Sequence, residues 1–168
     1  PYTLSLHDAL PIYALSSSGR ERRKTGLTVL DGAHLIASAL DAGIALTQLV
    51  VSESGLARQE HQALIHRIGT QCPVASLPDA LFAHASALES PSGLLALMAM
   101  PTNEIAPVLS KSSLIVLDAV QDAGNLGTLL RTAAAAGIRV ALLTEGCAKA
   151  WSPRVSRAGM GAQFQMQV

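Results

Sequence analysis

The chain has 168 residues, a length that allows one domain or two small ones. Of these residues 49% are hydrophobic and 14% are charged, which is typical of a globular protein, and the formal net charge at pH 7 is zero. A neutral chain has no global basic field to attract nucleic acid, so any such contact must come from local patches.

The cysteines and the hydropathy set two further bounds. Cys72 and Cys147 lie far apart and have no metal-ligand spacing, so we expect reduced thiols, no bound metal and a cytoplasmic protein. No apolar run approaches the roughly 18 residues that a membrane span needs. We therefore expect no membrane contact.

Residues 1–19 match no expected element. The stretch from Pro1 to Tyr13 has no basic region and is interrupted by His7 and Asp8, so it is not a secretion signal. The chain also does not begin with Met. We interpret residues 1–19 as a foreign or disordered lead-in.

A short basic run follows, with four of the twelve basic residues between Arg20 and Lys24. One interpretation is a solvated charge run without a partner. The other is an arm that contacts phosphates, since Lys and Arg neutralise the backbone charge of RNA. In that interpretation the contacts come from Arg22, Arg23 and Lys24.

Residues 20–101 alternate between strand-like and helix-like patterns. We predict strands at 27–30, 45–51 and 73–75, a closing strand that ends near 99, and helices at 35–43, at 56–68 and from Pro78. This alternation predicts a three-layer α/β sandwich. Pro101 and Pro107 break the pattern, and residues 102–112 are predicted to be an interdomain linker.

Residues 113–168 are predicted to form a second domain with a parallel sheet. Its strands are expected at 113–117, 139–144 and 164–168. One helix is expected to begin at Asn125 as its N-cap and to end near Gly137. Another is expected to begin at Ser152, with proline in its first turn.

The helix that begins at Asn125 carries a slanted polar row beside an apolar stripe. The predicted stripe consists of Leu126, Leu129, Leu130 and Ala133. Asn125, Thr128 and Arg131 form the polar row, in steps of three. Because ligands bind at strand ends in α/β sheets, this row is a candidate site. Gly124 and Gly127 are expected to permit a tight turn and a close helix–strand approach.

Three stretches resemble a known family. Asp122-x-Gly124-Asn125-x-Gly127-x3-Arg131-x-Ala133 resembles the first motif of the SpoU/TrmH-type RNA 2′-O-ribose methyltransferases, which belong to the knotted SPOUT class. Residues 152–164 are similar to that family's S-P-[KR]-x-x-R-A-[SG]-x-G-A-x-F stretch. Residues 22–35 resemble the opening of an RNA-recruiting domain with an L30e-like fold, in which Asp31 replaces the usual Glu.

The resemblance implies the fold class α/β. A small L30e-like α/β sandwich at 20–101 is followed by the first half of a SPOUT (α/β knot) parallel-sheet domain at 113–168, with the knot itself missing. It also implies an enzyme that transfers a methyl group from S-adenosylmethionine to a ribose 2′-hydroxyl of RNA. Asn125 and Arg131 are then the catalytic residues, on the side of the site that holds the target nucleotide.

The chemistry of these residues limits their roles. Arginine is almost never deprotonated, so we expect Arg131 to clamp the substrate phosphate while a phosphate or a water takes the proton. Simpler roles stay open, because Asn125 is also suited to be a plain helix cap and Arg131 to be a solvated helix residue. Arg154 and Arg157 share a helix face and either bind RNA phosphate or pair with a nearby acid.

The family builds its cofactor site from Gly-x-Glu-x-Gly and Ser-Leu-Asn-x-Ser stretches, and these 168 residues contain neither. We therefore expect a C-terminally truncated chain that has no cofactor-binding residue and is inactive alone, and a homodimer for the full-length protein. Ribosomal RNA is favoured over transfer RNA by analogy. The main alternative is a non-catalytic RNA-binding protein. A nucleotide-binding domain is weaker, since Gly124-x-x-Gly127 fits no phosphate-binding fingerprint.

Overall fold

The computed structural model describes residues 2–86, 88, 90–102 and 113–168. The chain divides into two compact units, Pro1–Met100 and Pro101–Val168. Of the predicted linker at 102–112, all but Thr102 lies outside the described residues. Among the described residues, no helix is both long enough and apolar enough to cross a membrane.

The first unit is built around a sheet of five strands within the described residues, in the order β1-β4-β3-β5-β2. The strands are β1 (Tyr2–Thr3), β2 (Leu27–Asp31), β3 (Leu46–Ser52), β4 (Val74–Leu77) and β5 (Leu94–Ala99). β4 pairs in parallel with β1 and β3, whereas β5 is antiparallel to β2 and β3. The predicted strands at 27–30, 45–51 and 73–75 overlap β2, β3 and β4.

Helices cover both faces of this sheet. They are α1 (Leu6–Ser17), α2 (Gly19–Thr25), α3 (Ala33–Asp41), α4 (Gln59–Ile68) and α5 (Asp79–Ala85), and a 3-10 turn covers Ser54–Ala57. α1 and α5 pack on the face that carries Val29 and Leu95. α3 contacts β2, β5 and α4. Because side chains alternate along a strand, Leu30 belongs to the opposite face. The result is the predicted three-layer sandwich.

Helix α1 differs from the disordered lead-in that was expected at 1–19. Ser5 caps it in a capping box with Asp8. Its buried apolar side chains are Ala9, Ile12 and Leu15. Apolar residues three apart lie on one face of a helix, and burial of that face against the sheet stabilises it. Disorder is therefore wrong for residues 6–17, whereas a foreign origin stays a prediction.

The second unit contains two parallel strands within the described residues, β6 (Leu114–Leu117) and β7 (Val140–Leu143). α6 (Ala123–Ala135) follows β6, and α7 (Pro153–Ala158) follows β7 and contacts α6. Leu126 and Leu130 are fully buried in the core of this unit. Leu129, which was predicted to share their stripe, is 38% exposed.

The predicted third strand at 164–168 is wrong. A 3-10 turn covers Ala162–Gln165, and Gln167 makes an isolated parallel bridge to Val140. The chain turns at Gly161, whose φ is +79°, and the amide of Phe164 donates to the Gly161 carbonyl at 3.0 Å. The Phe164 ring stacks on Trp151 with 6.1 Å between the centroids. This local packing replaces an extended strand.

Candidate active site at the carboxyl ends of β6 and β7

The candidate site lies where the two parallel strands of the second unit end. Leu117 pairs with Leu143, so Asp118 and Thr144 each follow the end of their strand at the same edge of the sheet. Such edges are where ligands bind in open α/β sheets. Both side chains are exposed, and they meet there.

Thr144 connects the two loops through one hydroxyl group. Its Oγ1 donates to Asp118 Oδ1 at 2.6 Å and accepts from the Ala119 amide at 3.1 Å. The Thr144 amide also donates to the Leu117 carbonyl at 3.0 Å. The turn after β6 is therefore held by the residue that follows β7.

Cys147 fixes the same turn from the buried side. Its Sγ accepts from the Val120 amide and donates to the Leu117 carbonyl, each at 3.3 Å. The Ala148 amide donates to the Val120 carbonyl at 2.8 Å. Sequence reasoning treated residues 145–148 as a simple loop and did not single out Thr144. Its position at the end of the predicted strand 139–144 was the signal available.

Helix α6 begins three residues earlier than expected. Asp122, not Asn125, is the N-cap, and its Oδ1 accepts from the Asn125 amide at 2.7 Å. Both residue types cap helices well, but a carboxylate also interacts favourably with the positive end of the helix dipole. Because Asp122 serves the cap, the Asn125 side chain is exposed and free of that role.

The predicted polar row is present on α6. Asn125, Thr128 and Arg131 are all exposed and lie at intervals of three. Neither the Asn125 nor the Arg131 side chain makes a hydrogen bond or ion pair with the residues that the structure describes. An arginine without an acidic partner keeps its donors available for an external phosphate.

Gly127 permits a close approach, but the approach is between the helices α6 and α7. A Cβ at Gly127 would lie 2.5 Å from Ala158 Cβ and 2.7 Å from the Val155 carbonyl oxygen, both on α7. The predicted helix–strand approach is corrected accordingly. Gly124 lies in the first turn of α6, and the left-handed residue of the preceding turn is Ala119, with φ +49°.

Helix α7 presents the second pair of candidate basic residues. Ser152 is its N-cap and Pro153 its first residue, as predicted. Arg154 and Arg157 are exposed, and neither is paired with an acid among the described residues. They were predicted either to bind RNA phosphate or to pair with a nearby acid. Within the described ranges, the pairing with an acid is not observed.

In the first unit, α2 carries the basic run, and Arg22 differs from its neighbours. It is buried, and its Nη1 donates to the carbonyls of Leu15 at 2.6 Å and Ser16 at 3.3 Å. Burial, and secondarily the charge of Arg23, lower the pKa of the Arg22 guanidinium. Because it is bonded to the end of α1, Arg22 is removed from the predicted RNA-binding set. Arg23 and Lys24 stay exposed.

Two family models match separate parts of the chain. The model described as the SpoU rRNA Methylase family matches residues 112–168. The model described as an MRM3-like substrate binding domain matches residues 12–96, half of the chain. The second match starts inside α1, so the residues from 12 onward belong to a known domain.

Proteins of similar sequence come from animals and bacteria. The mitochondrial rRNA methyltransferase 3 of Xenopus tropicalis is 32% identical over 166 residues, covering 94% of this chain and 38% of the relative. The 23S rRNA 2′-O-methyltransferase RlmP of Bacillus subtilis is 30% identical over 149 residues, covering 89% of this chain and 56% of the relative. The chain thus spans between about two fifths and somewhat over half of these relatives.

Solved structures share the fold. An RNA 2′-O ribose methyltransferase matches with a TM-score of 0.81 at 27% identity, covering 99% of this chain and 63% of that one. The SpoU methyltransferase AviRb from Streptomyces viridochromogenes, solved with AdoMet, matches with a TM-score of 0.83 at 18% identity, covering 95% and 60%. The predicted α/β class with a parallel sheet is confirmed.

One expectation is overturned by these comparisons. The sequence was predicted to belong to a cytoplasmic protein, but the related methyltransferases of Xenopus, mouse and human are named mitochondrial. Reduced cysteines do not distinguish the cytoplasm from the mitochondrion, so they gave no support to the cytoplasmic prediction. The names of these relatives contradict it, and the prediction is wrong.

Proposed function

Because this chain belongs to the SpoU rRNA methylase family, we propose that the complete protein transfers a methyl group from S-adenosylmethionine to a ribose 2′-hydroxyl of RNA. The observation that carries the proposal is the polar row on α6. Asn125 and Arg131 are exposed and unpaired among the described residues, and their helix starts at the carboxyl end of a parallel strand. Ribosomal RNA is the favoured substrate, since the named relatives act on it.

In this proposal the residues of α6 bind and orient the nucleotide. Arg131 donates to a phosphate oxygen and holds the ribose in line for attack on the methyl group. Asn125 offers one acceptor and two donors to the ribose or to Arg131. The hydroxyl proton passes to a substrate phosphate or to water, because the guanidinium cannot accept it.

The described residues do not by themselves fit the cofactor, which supplies an electrophilic methyl group. The amides of Ala119 and Val120, at the edge where a ligand would bind, already donate to Thr144 Oγ1 and Cys147 Sγ. The described residues also contain no group of His, Cys, Asp and Glu placed to hold a metal. We place cofactor binding outside the described residues and expect this chain alone to bind it weakly or not at all.

RNA recruitment is assigned to both units. In the first unit Arg23 and Lys24 extend from α2 into solvent, and in the second Arg154 and Arg157 do so from α7. Each can neutralise one phosphate. A homodimer of the complete protein, suggested by the family resemblance, is part of the same proposal and is checked by the mass of the protein in solution.

The test is Arg131→Ala in the full-length protein. We expect kcat for RNA methylation to fall by about 100-fold or more, because the phosphate is no longer oriented, while RNA affinity changes by about twofold or less. Arg131→Lys keeps the charge but loses the planar fork, so it should recover only part of kcat. Thr132→Ala, an exposed neighbour on α6 outside the polar row, is the matched control.

Two outcomes would overturn the proposal. One is a full-length protein that binds RNA but transfers no methyl group, which would favour the non-catalytic RNA-binding alternative. The other is Arg131→Ala with the same kcat as the Thr132→Ala control.

A further inference from the structure

The turn between β6 and α6 contains a strained residue. Ala119 has φ +49°, in the left-handed region that residues with a Cβ rarely adopt. Such a conformation persists only where neighbouring contacts impose it. In this turn, such contacts come from the loop after β7, where Thr144 bonds to Asp118 and Ala119 and Cys147 bonds to Val120.

Thr144 contacts Asp118 and Ala119 with a single hydroxyl, whereas Cys147 contacts the neighbouring Leu117 and Val120. The Thr144 hydroxyl accepts from the Ala119 amide at 3.1 Å and donates to Asp118 Oδ1 at 2.6 Å. These two bonds attach both residues of the turn to the loop after β7. A valine at 144 would fill the same space and make neither bond, whereas a serine would make both. The hydroxyl, not the shape of the side chain, is therefore the functional part.

The position of this turn determines where the candidate site begins. Asp122 follows Ala119 by three residues and caps α6 through the Asn125 amide at 2.7 Å. The body of α6 is anchored separately, by the burial of Leu126 and Leu130. A loose turn would therefore leave the helix packed while its first turn, which carries Asn125, moves.

We propose that Thr144 is a positioning residue of the methyl-transfer site: its hydroxyl holds Asp118 and Ala119 in the left-handed turn and thereby sets the place of Asn125. This inference rests on the proposed function. Thr144 and Asp118 are both exposed, so their bonds contribute less to stability than buried ones do. The loss should therefore appear mainly in kcat.

The experiment compares Thr144→Val and Thr144→Ser in the full-length protein. We expect Thr144→Val to lower kcat by about tenfold with KM for RNA changed by about twofold or less, since small misplacements at a reacting centre are costly. Thr144→Ser should restore kcat. Equal kcat in wild type and Thr144→Val, or equal losses in the Val and Ser variants, would overturn the inference.

A second substitution tests the conformational part. Glycine adopts positive φ without steric cost, so Ala119→Gly should partly restore kcat in the Thr144→Val background. Ala136→Gly, at the exposed end of α6, is the control and should restore nothing. Rescue by both glycines, or by neither, would contradict the inference.

A structural readout separates this inference from the proposed function. The backbone chemical shifts of Ala119 should report a left-handed φ in wild type and Thr144→Ser, and should leave that region in Thr144→Val. If the wild type does not methylate RNA, the proposed function fails, and the role of Thr144 in the site fails with it. If the wild type is active but the Ala119 shifts are the same in all variants, only the inference fails.

Discussion

A single hydrogen atom determines how closely α6 approaches α7. The Cα of Gly127 lies against Ala158, Val155 and Gly159, and a Cβ there would come within 2.7 Å of an atom of each. Two of those atoms belong to the backbone, which cannot move without shifting α7. Gly127 is therefore needed for packing, although glycine is a poor residue for the middle of a helix.

Gly127→Ala should destabilise the second unit. Alanine improves helix propensity by about 1 kcal/mol, but overpacking of a close contact costs about 1 to 3 kcal/mol, so we expect a net loss of up to about 2 kcal/mol. Urea unfolding followed by fluorescence measures it, because the single tryptophan, Trp151, is stacked on Phe164 in this unit.

The control for this prediction is Gly124→Ala on the same helix. Among the described residues its Cβ would approach Asp122 Oδ1 alone, at 3.1 Å, and this carboxylate oxygen needs to give by only a few tenths of an ångström, which its hydrogen bond to the Asn125 amide can absorb. We expect its stability to stay within about 1 kcal/mol of wild type. A Gly127→Ala variant as stable as Gly124→Ala would show that the helices separate without cost.

A contact between elements of the first unit predicts a dependence on pH. Asp79, the first residue of α5, accepts from the Ser54 amide at 3.0 Å and the Ser54 hydroxyl at 2.9 Å, in the 3-10 turn after β3. These bonds, the backbone one first, lower the pKa of the Asp79 carboxyl below its ordinary value of 3.8. The bonds favour the ionised form and connect α5 to the end of β3.

The sign of the effect follows from this lowered pKa. Between the lowered folded pKa and 3.8 the unfolded chain binds more protons at Asp79 than the folded chain does, so stability rises with pH there. The contribution of Asp79 to the stability of the folded chain is present above pH 3.8. It is lost as the pH falls through the pKa that Asp79 has in the folded chain. Asp79→Asn should therefore show a weaker loss of Tm on acidification than wild type.

Titration of the carboxyl carbon by NMR checks the cause. Ser54→Ala removes the hydroxyl donor and keeps the amide, so it should move the pKa of Asp79 part of the way back toward 3.8. An unchanged pKa in Ser54→Ala would mean that the hydroxyl bond does not form.

Over the whole chain, the distribution of charge matters more than its sum. The net charge is zero, yet α2 places Arg23 and Lys24 in solvent. Among the described residues, only Lys24 of these two lies near an acid, with Glu21 at 3.8 Å. An exposed pair at that distance contributes little. Local basic groups of this kind are sufficient for phosphate contacts on a neutral protein.

The double substitution Arg23→Ala and Lys24→Ala should weaken binding to RNA uniformly across sequences. The slope of log affinity against log salt concentration is negative, and the loss of two phosphate contacts should reduce its magnitude by about 1 to 2. Fluorescence anisotropy over a series of salt concentrations measures both quantities. Arg67→Ala is the matched control, because its guanidinium is paired with Asp41 at 2.7 Å.

Arg22 distinguishes a contact with RNA from a role in folding. Arg22→Met should leave the salt slope unchanged and lower stability, because it removes donors from the carbonyls of Leu15 and Ser16. A salt slope that falls in Arg22→Met, or that does not fall in the double variant, would contradict this assignment.

The sequence by itself determined those features that depend on local spacing. The alternation of strands and helices, the burial of Leu126 and Leu130, and the polar row ending at Arg131 follow from periodicities of two and 3.6 residues. The family motifs lie within such stretches, so the sequence alone was sufficient to identify them as well.

Tertiary structure decided the features that depend on contacts between distant residues. Asp118 and Thr144 are 26 positions apart, and Gly127 faces a helix about 30 residues away, so no local pattern records either contact. Packing also buried Arg22 and the face of α1, and the turn after β6 decided that Asp122, and not Asn125, caps α6. The physical reason is that burial and long-range hydrogen bonds form only once separate elements meet, and they then override local preference.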